Sequence, residues 1–192
     1  MITILSGSPR ANSNTIRVAK AIAKQIKLSH PSEEVALVDF NGYDIPNFNQ
    51  QGLNASQLSP WQTHLVNSMT QSHLVFVLTP EYNWMPSAEI LQMIHAFGGP
   101  SFKSIWDNKV FATCGTSSGR GGRMPAVQLN NTINKILSVF DFQSFVSAKM
   151  FESQFSSQVV DEEGNSLGNL EYDKGLANFV NYNLNVAKKW SV

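Results

Sequence analysis

The chain has 192 residues, of which 42% are hydrophobic, so it is long enough to bury the core of one domain and short for two. Its 14 Lys and Arg balance its 14 Asp and Glu, which leaves neither a broad basic surface for nucleic acid nor a polybasic run for a membrane. We therefore expect one domain spanning residues 1–192 that acts on small molecules, with no nucleic-acid or membrane partner.

The cysteine and histidine content indicates neither a disulfide framework nor a metal site. Cys114 is the only cysteine, and the histidines have no His or Cys partner at metal-ligand spacing. The chain enters an apolar run at Ile2 with no basic start or signal-peptide core, and no apolar run reaches transmembrane length. These features predict a cytoplasmic protein without a bound metal, in which Cys114 is a buried apolar side chain, although a redox role for its thiol stays open.

Five apolar runs of strand length alternate with five amphipathic stretches of helical length. The apolar runs are Ile2–Leu5, Val35–Val38, Leu74–Leu78, Val110–Thr113 and Phe142–Val146. The helical stretches are Ile16–Ile26, Trp61–Met69, Ile90–Phe97, Val127–Leu137 and Leu176–Trp190. This alternation predicts an α/β fold of the flavodoxin-like, doubly wound kind, with a five-stranded parallel sheet and helices on both faces. Ligands of such folds bind at the carboxyl ends of the strands.

Two segments interrupt this alternation. Asn41–Ser59 is polar and follows the second strand, where it is expected to pack on a partner subunit or to border the ligand. Glu152–Tyr172 contains the turn-like sequence DEEGN, Asp161–Asn165, and predicts a hairpin or an extended arm before the last helix.

The first strand leads into the sequence GSPRANSNT, Gly7–Thr15, directly before the first helix. A helix N-terminus offers unpaired N–H groups and a partial positive charge, and the guanidinium of Arg10 and the hydroxyls of Ser8, Ser13 and Thr15 can converge on it. The segment lacks both GxGxxG and the GK[ST] ending of a P-loop. It therefore favours a terminal phosphate, as in FMN. Ordinary helix capping by its Ser and Asn side chains is the alternative.

The third strand ends in TPEYNWMPS, Thr79–Ser87, at the same edge of the predicted sheet. Tyr82, Asn83 and Trp84 combine flat apolar faces with directed hydrogen-bonding groups, which suits a flavin ring. The alternative is an ordinary polar turn formed around proline.

The fourth strand ends in the glycine-rich sequence CGTSSGRGGRMPA, Cys114–Ala126. Glycines let backbone N–H groups approach a planar ligand closely, and Arg120 adds a positive charge. Because a two-electron reduced flavin gains negative charge, we expect Arg120 and the amides of this loop to stabilise it. A flexible loop with solvated arginines is the alternative.

Together the three loops resemble those of the NADPH-dependent FMN reductase family. GSPRANSNT resembles its phosphate loop, PEYN, Pro80–Asn83, resembles its central signature, and SSGRGG, Ser117–Gly122, resembles its third loop. The chain departs from the family pattern after PEYN, where Ser87 and Glu89 stand in place of Gly and Lys, and its third loop is about one residue shorter.

The resemblance implies a set of cofactor contacts. The phosphate contacts are Ser8, Arg10, Ser13, Asn14 and Thr15. The ribityl and ring contacts are Pro80, Glu81, Tyr82 and Asn83. The contacts at the pyrimidine end of the ring are Ser117, Gly119, Arg120 and Gly122. It also implies a homodimer or homotetramer with sites near the subunit contacts.

We therefore expect an FMN-dependent oxidoreductase in which NAD(P)H, as co-substrate, passes a hydride to bound FMN. The electrons then go to a small-molecule acceptor, either a flavin, a quinone or a similar compound. No catalytic side chain is predicted, because the cofactor carries the reaction. The alternatives are a quinone, azo or nitro reductase of the same fold, a non-enzymatic FMN-binding electron carrier, and a flavin-free domain.

Overall fold

The computed structural model describes residues 1–46 and 53–190, which form strands and helices in alternation. The strands are β1 (Ile2–Ser6), β2 (Val35–Asp39), β3 (Leu74–Pro80), β4 (Val110–Thr116), β5 (Phe145–Val146) and β6 (Phe151–Ser153). The helices are α1 (Asn14–Ser29), α2 (Pro60–Thr70), α3 (Ala88–Phe97), α4 (Lys103–Trp106), α5 (Arg123–Val139), α6 (Ser156–Val159) and α7 (Leu170–Trp190). Short 3-10 turns occupy Phe40–Gly42 and Pro100–Phe102.

The strands form one parallel sheet in the order β2-β1-β3-β4-β5, with β6 also paired to β4. Ile4 lies opposite Leu37 of β2 on one side and opposite Phe76 of β3 on the other. The chain therefore places β2 on one side of β1 and then crosses to the other side of β1 to form β3. This change of direction opens a crevice at the carboxyl ends of β1 and β3, where doubly wound proteins bind ligands. The predicted flavodoxin-like α/β fold is confirmed.

Alternate strand residues point to opposite faces, and both faces are covered by helices. On β3, Leu74, Phe76 and Leu78 join the core beneath α1 and α7, whereas Val75 and Val77 join the core beneath α2, α3 and α5. Because both faces are buried, the inner strands are continuous apolar runs rather than alternating ones. This explains why the sequence reveals them so clearly.

The fifth strand, predicted over Phe142–Val146, is confirmed at Phe145–Val146 and is wrong at residues 142–144. The N–H of Phe142 donates to the carbonyl of Leu137 at 3.0 Å, and Asp141 adopts a φ of 51°, so this part of the run ends helix α5 as a turn. Pairing with β4 begins only at Phe145 and resumes at β6. The fifth position of the sheet is therefore filled by two short segments.

The described residues of the two segments outside the predicted alternation contact the rest of the chain. Val160 and Ser166 pair in a short antiparallel bridge around DEEGN, and Glu162 of this hairpin lies 2.8 Å from the Arg17 guanidinium of α1. In the other segment, the Tyr43 hydroxyl donates to Gln92 of α3 at 2.5 Å. The prediction that Asn41–Ser59 contacts a partner or the ligand falls in part on residues 47–52, which lie outside the described residues.

Within residues 1–46 and 53–190, no helix has the length and apolar character needed to cross a bilayer. The same residues contain no group of three His, Cys, Asp or Glu side chains placed to hold a metal ion.

Candidate functional site

A cavity of about 460 Å³ opens at the carboxyl edge of the sheet, where the segments after β1, β3 and β4 meet. Its volume lies within the range of about 300–1,000 Å³ that is usual for small-molecule sites. Its lining residues are Ser8, Arg10, Ala11, Asn12, Ser13, Asn14, Thr15, Pro80, Glu81, Tyr82, Thr116, Ser117 and Ser118. The cavity thus brings together residues from all three sequence-predicted loops.

The segment after β1 presents hydrogen-bond donors to this cavity. Ser13 caps α1, because its hydroxyl accepts the N–H of Ile16 at 3.2 Å. As the first two residues of α1, Asn14 and Thr15 have backbone N–H groups without an intrahelical acceptor. Ser8 is buried, and its hydroxyl accepts the N–H of Arg10 at 3.4 Å, which folds the loop back toward the strand. Unpaired N–H groups at the start of a 16-residue helix favour an anion.

Two buried contacts fix the position of this loop. The Gly7 N–H donates to the Leu78 carbonyl of β3 at 2.9 Å, and a Cβ at Gly7 would lie only 2.6 Å from that oxygen. The hydroxyls of Thr15 and Thr116 lie 2.8 Å apart, which joins the start of α1 to the end of β4. The loop is therefore held by both neighbouring strands.

The segment after β3 is a tight hairpin. Tyr82 and Met85 exchange two backbone hydrogen bonds of 3.0 Å, and the residues between them, Asn83 and Trp84, have φ values of 52° and 68°. Two successive positive φ values are typical of a type I′ turn. The turn leaves Trp84 71% exposed, and the Arg10 guanidinium lies 4.9 Å from the centre of the Tyr82 ring. One aromatic ring therefore contacts the first loop, while the other faces outward.

The segment after β4 is held by hydrogen bonds to β6 and to the residues that follow it. The Ser117 N–H donates to the Ser153 carbonyl of β6 at 2.9 Å, and the Ser156 hydroxyl donates to the Ser117 carbonyl at 3.1 Å. The Phe155 N–H donates to the Gly119 carbonyl at 2.9 Å. These contacts explain why the chain departs from β5 and pairs again with β4 as β6.

The cavity collects most, but not all, of the predicted site residues. Those that line it are Ser8, Arg10, Ser13, Asn14, Thr15, Pro80, Glu81, Tyr82 and Ser117. Four others lie outside its lining: Asn83 at the exposed tip of the hairpin, Gly119 and Arg120 in the outer part of the third loop, and Gly122 at the start of α5. Gly122 is buried, and its N–H donates to the Glu81 carboxylate.

The lining also includes residues that the sequence did not single out: Ala11, Asn12, Thr116 and Ser118. Ala11, Asn12 and Ser118 lie inside the motifs already recognised. Their position within those motifs could have identified them as lining residues. Thr116 also lies inside a recognised motif, Cys114–Ala126, where it is the polar end of the apolar strand.

A larger groove of about 570 Å³ lies between α1 and β2. It is lined by Ala23, Lys24, Lys27, Leu28, Val35 and Leu37, without convergent polar groups. Since ligand sites combine apolar walls with a few directed polar groups, the cavity at the sheet edge is the better candidate.

Comparison with known proteins agrees with this geometry. The family model of the NADPH-dependent FMN reductases matches residues 1–152. The chain belongs to this family. A search of curated proteins found no match.

Several solved structures share the fold. The flavoenzyme NAD(P)H:(acceptor) oxidoreductase FerB from Paracoccus denitrificans is 19% identical, with a TM-score of 0.75, and the match covers 100% of this chain and 98% of that one. A flavodoxin from the domain Archaea is 12% identical, with a TM-score of 0.58 and full coverage of both chains. An azoreductase from Bacillus anthracis is 12% identical, with a TM-score of 0.52 and 98% of each chain covered.

The family member described here is an NAD(P)H-dependent flavin oxidoreductase that uses FMN, which confirms the family, cofactor and enzyme class expected from the sequence. The residues present fit this cofactor. The N–H groups at the start of α1 match the needs of a terminal phosphate, and among the described residues that line the cavity Arg10 is the one basic side chain.

Proposed function

We propose that FMN binds in the 460 Å³ cavity, with its phosphate at the start of α1 and its ring between residues 80–82 and 117–118, and that the enzyme passes electrons from NAD(P)H to a quinone or a free flavin. The observation that carries this proposal is the start of α1, where the N–H groups of Asn14 and Thr15 have no intrahelical acceptor and lie beside the buried hydroxyl of Ser8. A phosphate satisfies these donors, whereas water alone would leave the helix dipole without a counter-charge.

Different residues are assigned to the phosphate, the ribityl chain and the ring of FMN. Ser13, Asn14 and Thr15 belong to the phosphate end, where Arg10 adds a guanidinium. Pro80, Glu81 and Tyr82 border the ribityl chain and the ring from one strand end, and Ser117 borders the ring from the next. Asn83 and Gly119 are proposed to contact the ring in the bound state, and Arg120 to act on it through its charge. Gly122 shapes the end of the third loop, because its N–H already donates to the Glu81 carboxylate.

When bound, FMN accepts two electrons from the nicotinamide and delivers them to the acceptor. The chain itself needs to hold the ring at a fixed angle, leave one face open and keep the nicotinamide carbon close to that face. Tyr82 and the hydrogen-bonded third loop supply fixed walls. No acid, base or nucleophile of the protein is required.

The acceptor is proposed to be flat and apolar. Trp84 is 71% exposed and Met85 is 49% exposed, and both lie on the hairpin that adjoins the cavity. Such side chains offer an aromatic face for stacking, which favours quinones and free flavins. Azo and nitro compounds share this flat shape and are second candidates.

We also propose that the enzyme is a homodimer or homotetramer in the cytoplasm. The exposed side chains of the hairpin support the first point, because large apolar groups beside a site are often covered by another subunit. Light scattering at micromolar concentrations tests this: a mass of 21.3 kDa, that of one chain, would contradict it.

The binding site is tested by titrating the flavin-free enzyme with FMN, riboflavin and FAD, following flavin fluorescence and melting temperature. We expect FMN to bind near 1:1 and more tightly than riboflavin, because only FMN brings the terminal phosphate. Equal affinity for FMN and riboflavin would contradict a phosphate site at α1.

Turnover is tested by adding NADPH or NADH to the FMN-loaded enzyme without oxygen and recording loss of flavin colour. Addition of a benzoquinone should restore the colour, and with excess NADPH an added excess of free riboflavin should itself be bleached, because it takes up the electrons. An enzyme that bleaches but transfers electrons only to oxygen would contradict the proposed acceptor class.

A further inference from the structure

The side chain of Glu81 lies against the turn that closes the third loop. Its carboxylate accepts the N–H of Gly122, the residue directly before α5. A Cβ added at Gly121 would lie 2.5 and 2.7 Å from the two carboxylate oxygens. The carboxylate therefore lies against the Gly121–Gly122 turn, and a side chain at position 121 would displace it from this position.

Glu81 also contacts the other end of the same loop. Its backbone N–H donates to the Thr116 carbonyl at 2.8 Å. At the base of the loop the backbone of Gly122 packs directly on Gly115, where an added Cβ would lie 1.8 Å from the Gly122 oxygen. Glu81 thus binds Thr116, the residue directly before the third loop, and Gly122, the last residue of that loop, so the shape of the third loop depends on Glu81.

The charge of Glu81 is not balanced by a cation. In the described part of the chain, no Lys or Arg lies within ion-pair distance of Glu81, and the nearby Arg123 instead faces Glu152 at 3.8 Å. The groups that stabilise the carboxylate are the Gly122 amide and the N-terminus of the 17-residue helix α5. A negative charge therefore stands at the edge of the cavity, where Glu81 is also a lining residue.

We propose that Glu81 is a positioning residue that takes the Gly122 amide away from the flavin, closes the third loop, and places a negative charge beside the ring site. This inference rests on the proposed binding of the FMN ring between the second and third loops. A two-electron reduced flavin carries more negative charge than the oxidised form, so an adjacent carboxylate opposes reduction. Glu81 thereby lowers the midpoint potential of the bound flavin.

The decisive variant is Glu81→Gln, because its amide oxygen still accepts the Gly122 N–H but carries no charge. The midpoint potential of the bound flavin is measured by equilibration with a reference dye. We expect the equilibrium constant for reduction to rise about tenfold, which corresponds to about 30 mV for two electrons. Glu34→Gln removes the same charge from an exposed residue before β2 and should leave the potential unchanged.

The contact itself is tested without flavin by amide hydrogen exchange in the full-length chain. Glu81→Ala should accelerate exchange of the Gly122 amide about tenfold, and Glu81→Gln should restore slow exchange. A purely structural role would change exchange in the Ala variant but would not move the potential in the Gln variant.

The outcomes separate this inference from the proposed function. If the unmodified chain does not bind FMN, the proposed function fails, while the exchange experiment still tests the contact. If FMN binds normally and Glu81→Gln has the same potential as Glu34→Gln, the inference about charge is overturned. Unchanged exchange at Gly122 in Glu81→Ala overturns the positioning role.

Discussion

The hydroxyls of Thr15 and Thr116 lie 2.8 Å apart in the core, although 101 residues separate them along the chain. Both residues are buried, and Thr116 also lies 3.3 Å from the Thr79 carbonyl of β3. One small polar group therefore joins the phosphate-loop helix to two strand ends. The Thr116 hydroxyl donates to the Thr79 carbonyl and can accept from Thr15, so it is the partner that satisfies the buried Thr15 hydroxyl.

We expect Thr116→Val to lower the free energy of unfolding by about 1–2 kcal/mol, because it leaves the Thr15 hydroxyl without this partner. The double variant with Thr15→Val should cost less than the sum of the single variants, since it removes both polar groups. Urea unfolding of the four proteins measures this cycle. Thr70→Val, at an exposed hydroxyl on α2, is the control; strictly additive effects of the core variants would contradict a shared hydrogen bond.

Ser87 connects the phosphate loop to α3. Its buried hydroxyl donates to the Gly7 carbonyl at 2.5 Å and caps α3 by accepting the Ile90 N–H at 3.3 Å. Ser87→Ala should lower the free energy of unfolding by about 1–3 kcal/mol and should also weaken FMN binding. Ser59→Ala removes the hydroxyl that caps α2, away from the cavity, and should reduce stability without changing FMN affinity. Equal FMN affinity in both variants would show that Ser87 acts on stability alone.

Arg10 is expected to act on the phosphate. Arg10→Ala should weaken FMN binding by about 1.5–3 kcal/mol, because a charge-assisted hydrogen bond is lost, and should leave riboflavin binding nearly unchanged. Fluorescence titration measures both affinities. Arg17→Ala is the control, because that guanidinium lies 2.8 Å from Glu162 and does not line the cavity. Equal losses for FMN and riboflavin would indicate that Arg10 acts through its contact with the Tyr82 ring.

The strands and loops that the sequence predicted are those whose local pattern is compatible with a single structure. The runs at β1, β3 and β4 are apolar throughout because both faces of the sheet are covered, and the loops after them carry the residues that line the cavity. The start of the strand predicted over Phe142–Val146 was wrong because Phe142 is buried in a turn that ends α5, and a buried residue in a turn resembles the start of an apolar strand.

The contacts within the site could not be predicted in the same way. The Glu81 carboxylate meets the Gly122 amide across 41 residues, and the contact exists only because Thr79 and Pro80 pair with Gly115 and Thr116. Local sequence shows that Gly121 and Gly122 permit a turn. It does not show that a carboxylate from the neighbouring strand end fills that turn.

Cys114 should be unreactive in the folded enzyme. Its side chain is fully buried on β4, and burial raises the pKa of its thiol, which disfavours the reactive thiolate. We expect no reaction with a chromogenic disulfide at pH 8 in native buffer, and reaction of one thiol per chain in denaturant. Rapid reaction of the native protein would contradict this and would support a redox role.

Lys109 should make stability depend on pH in the alkaline range. The residue is only 2% exposed, and its ammonium donates to the carbonyls of Ser104 and Asp107, each at 2.9 Å. Burial lowers the pKa of Lys109 to about 8, against the weaker opposing effect of Asp107. In the unfolded chain a lysine has a pKa of about 10.4.

Between these two pKa values the unfolded chain keeps a proton that the folded chain has released, so this group makes stability rise with pH. The slope for one proton is at most about 1.4 kcal/mol per pH unit, and below pH 8 both states are protonated and the slope vanishes. The free energy of unfolding of the unmodified protein should therefore increase relative to that of Lys109→Met from pH 8 to pH 10. Urea unfolding at each pH measures the difference, in which the other titrating groups cancel. Lys135→Met, at an exposed residue of α5, should show no such trend, and a constant difference for Lys109→Met would mean that its ammonium stays charged in the folded state.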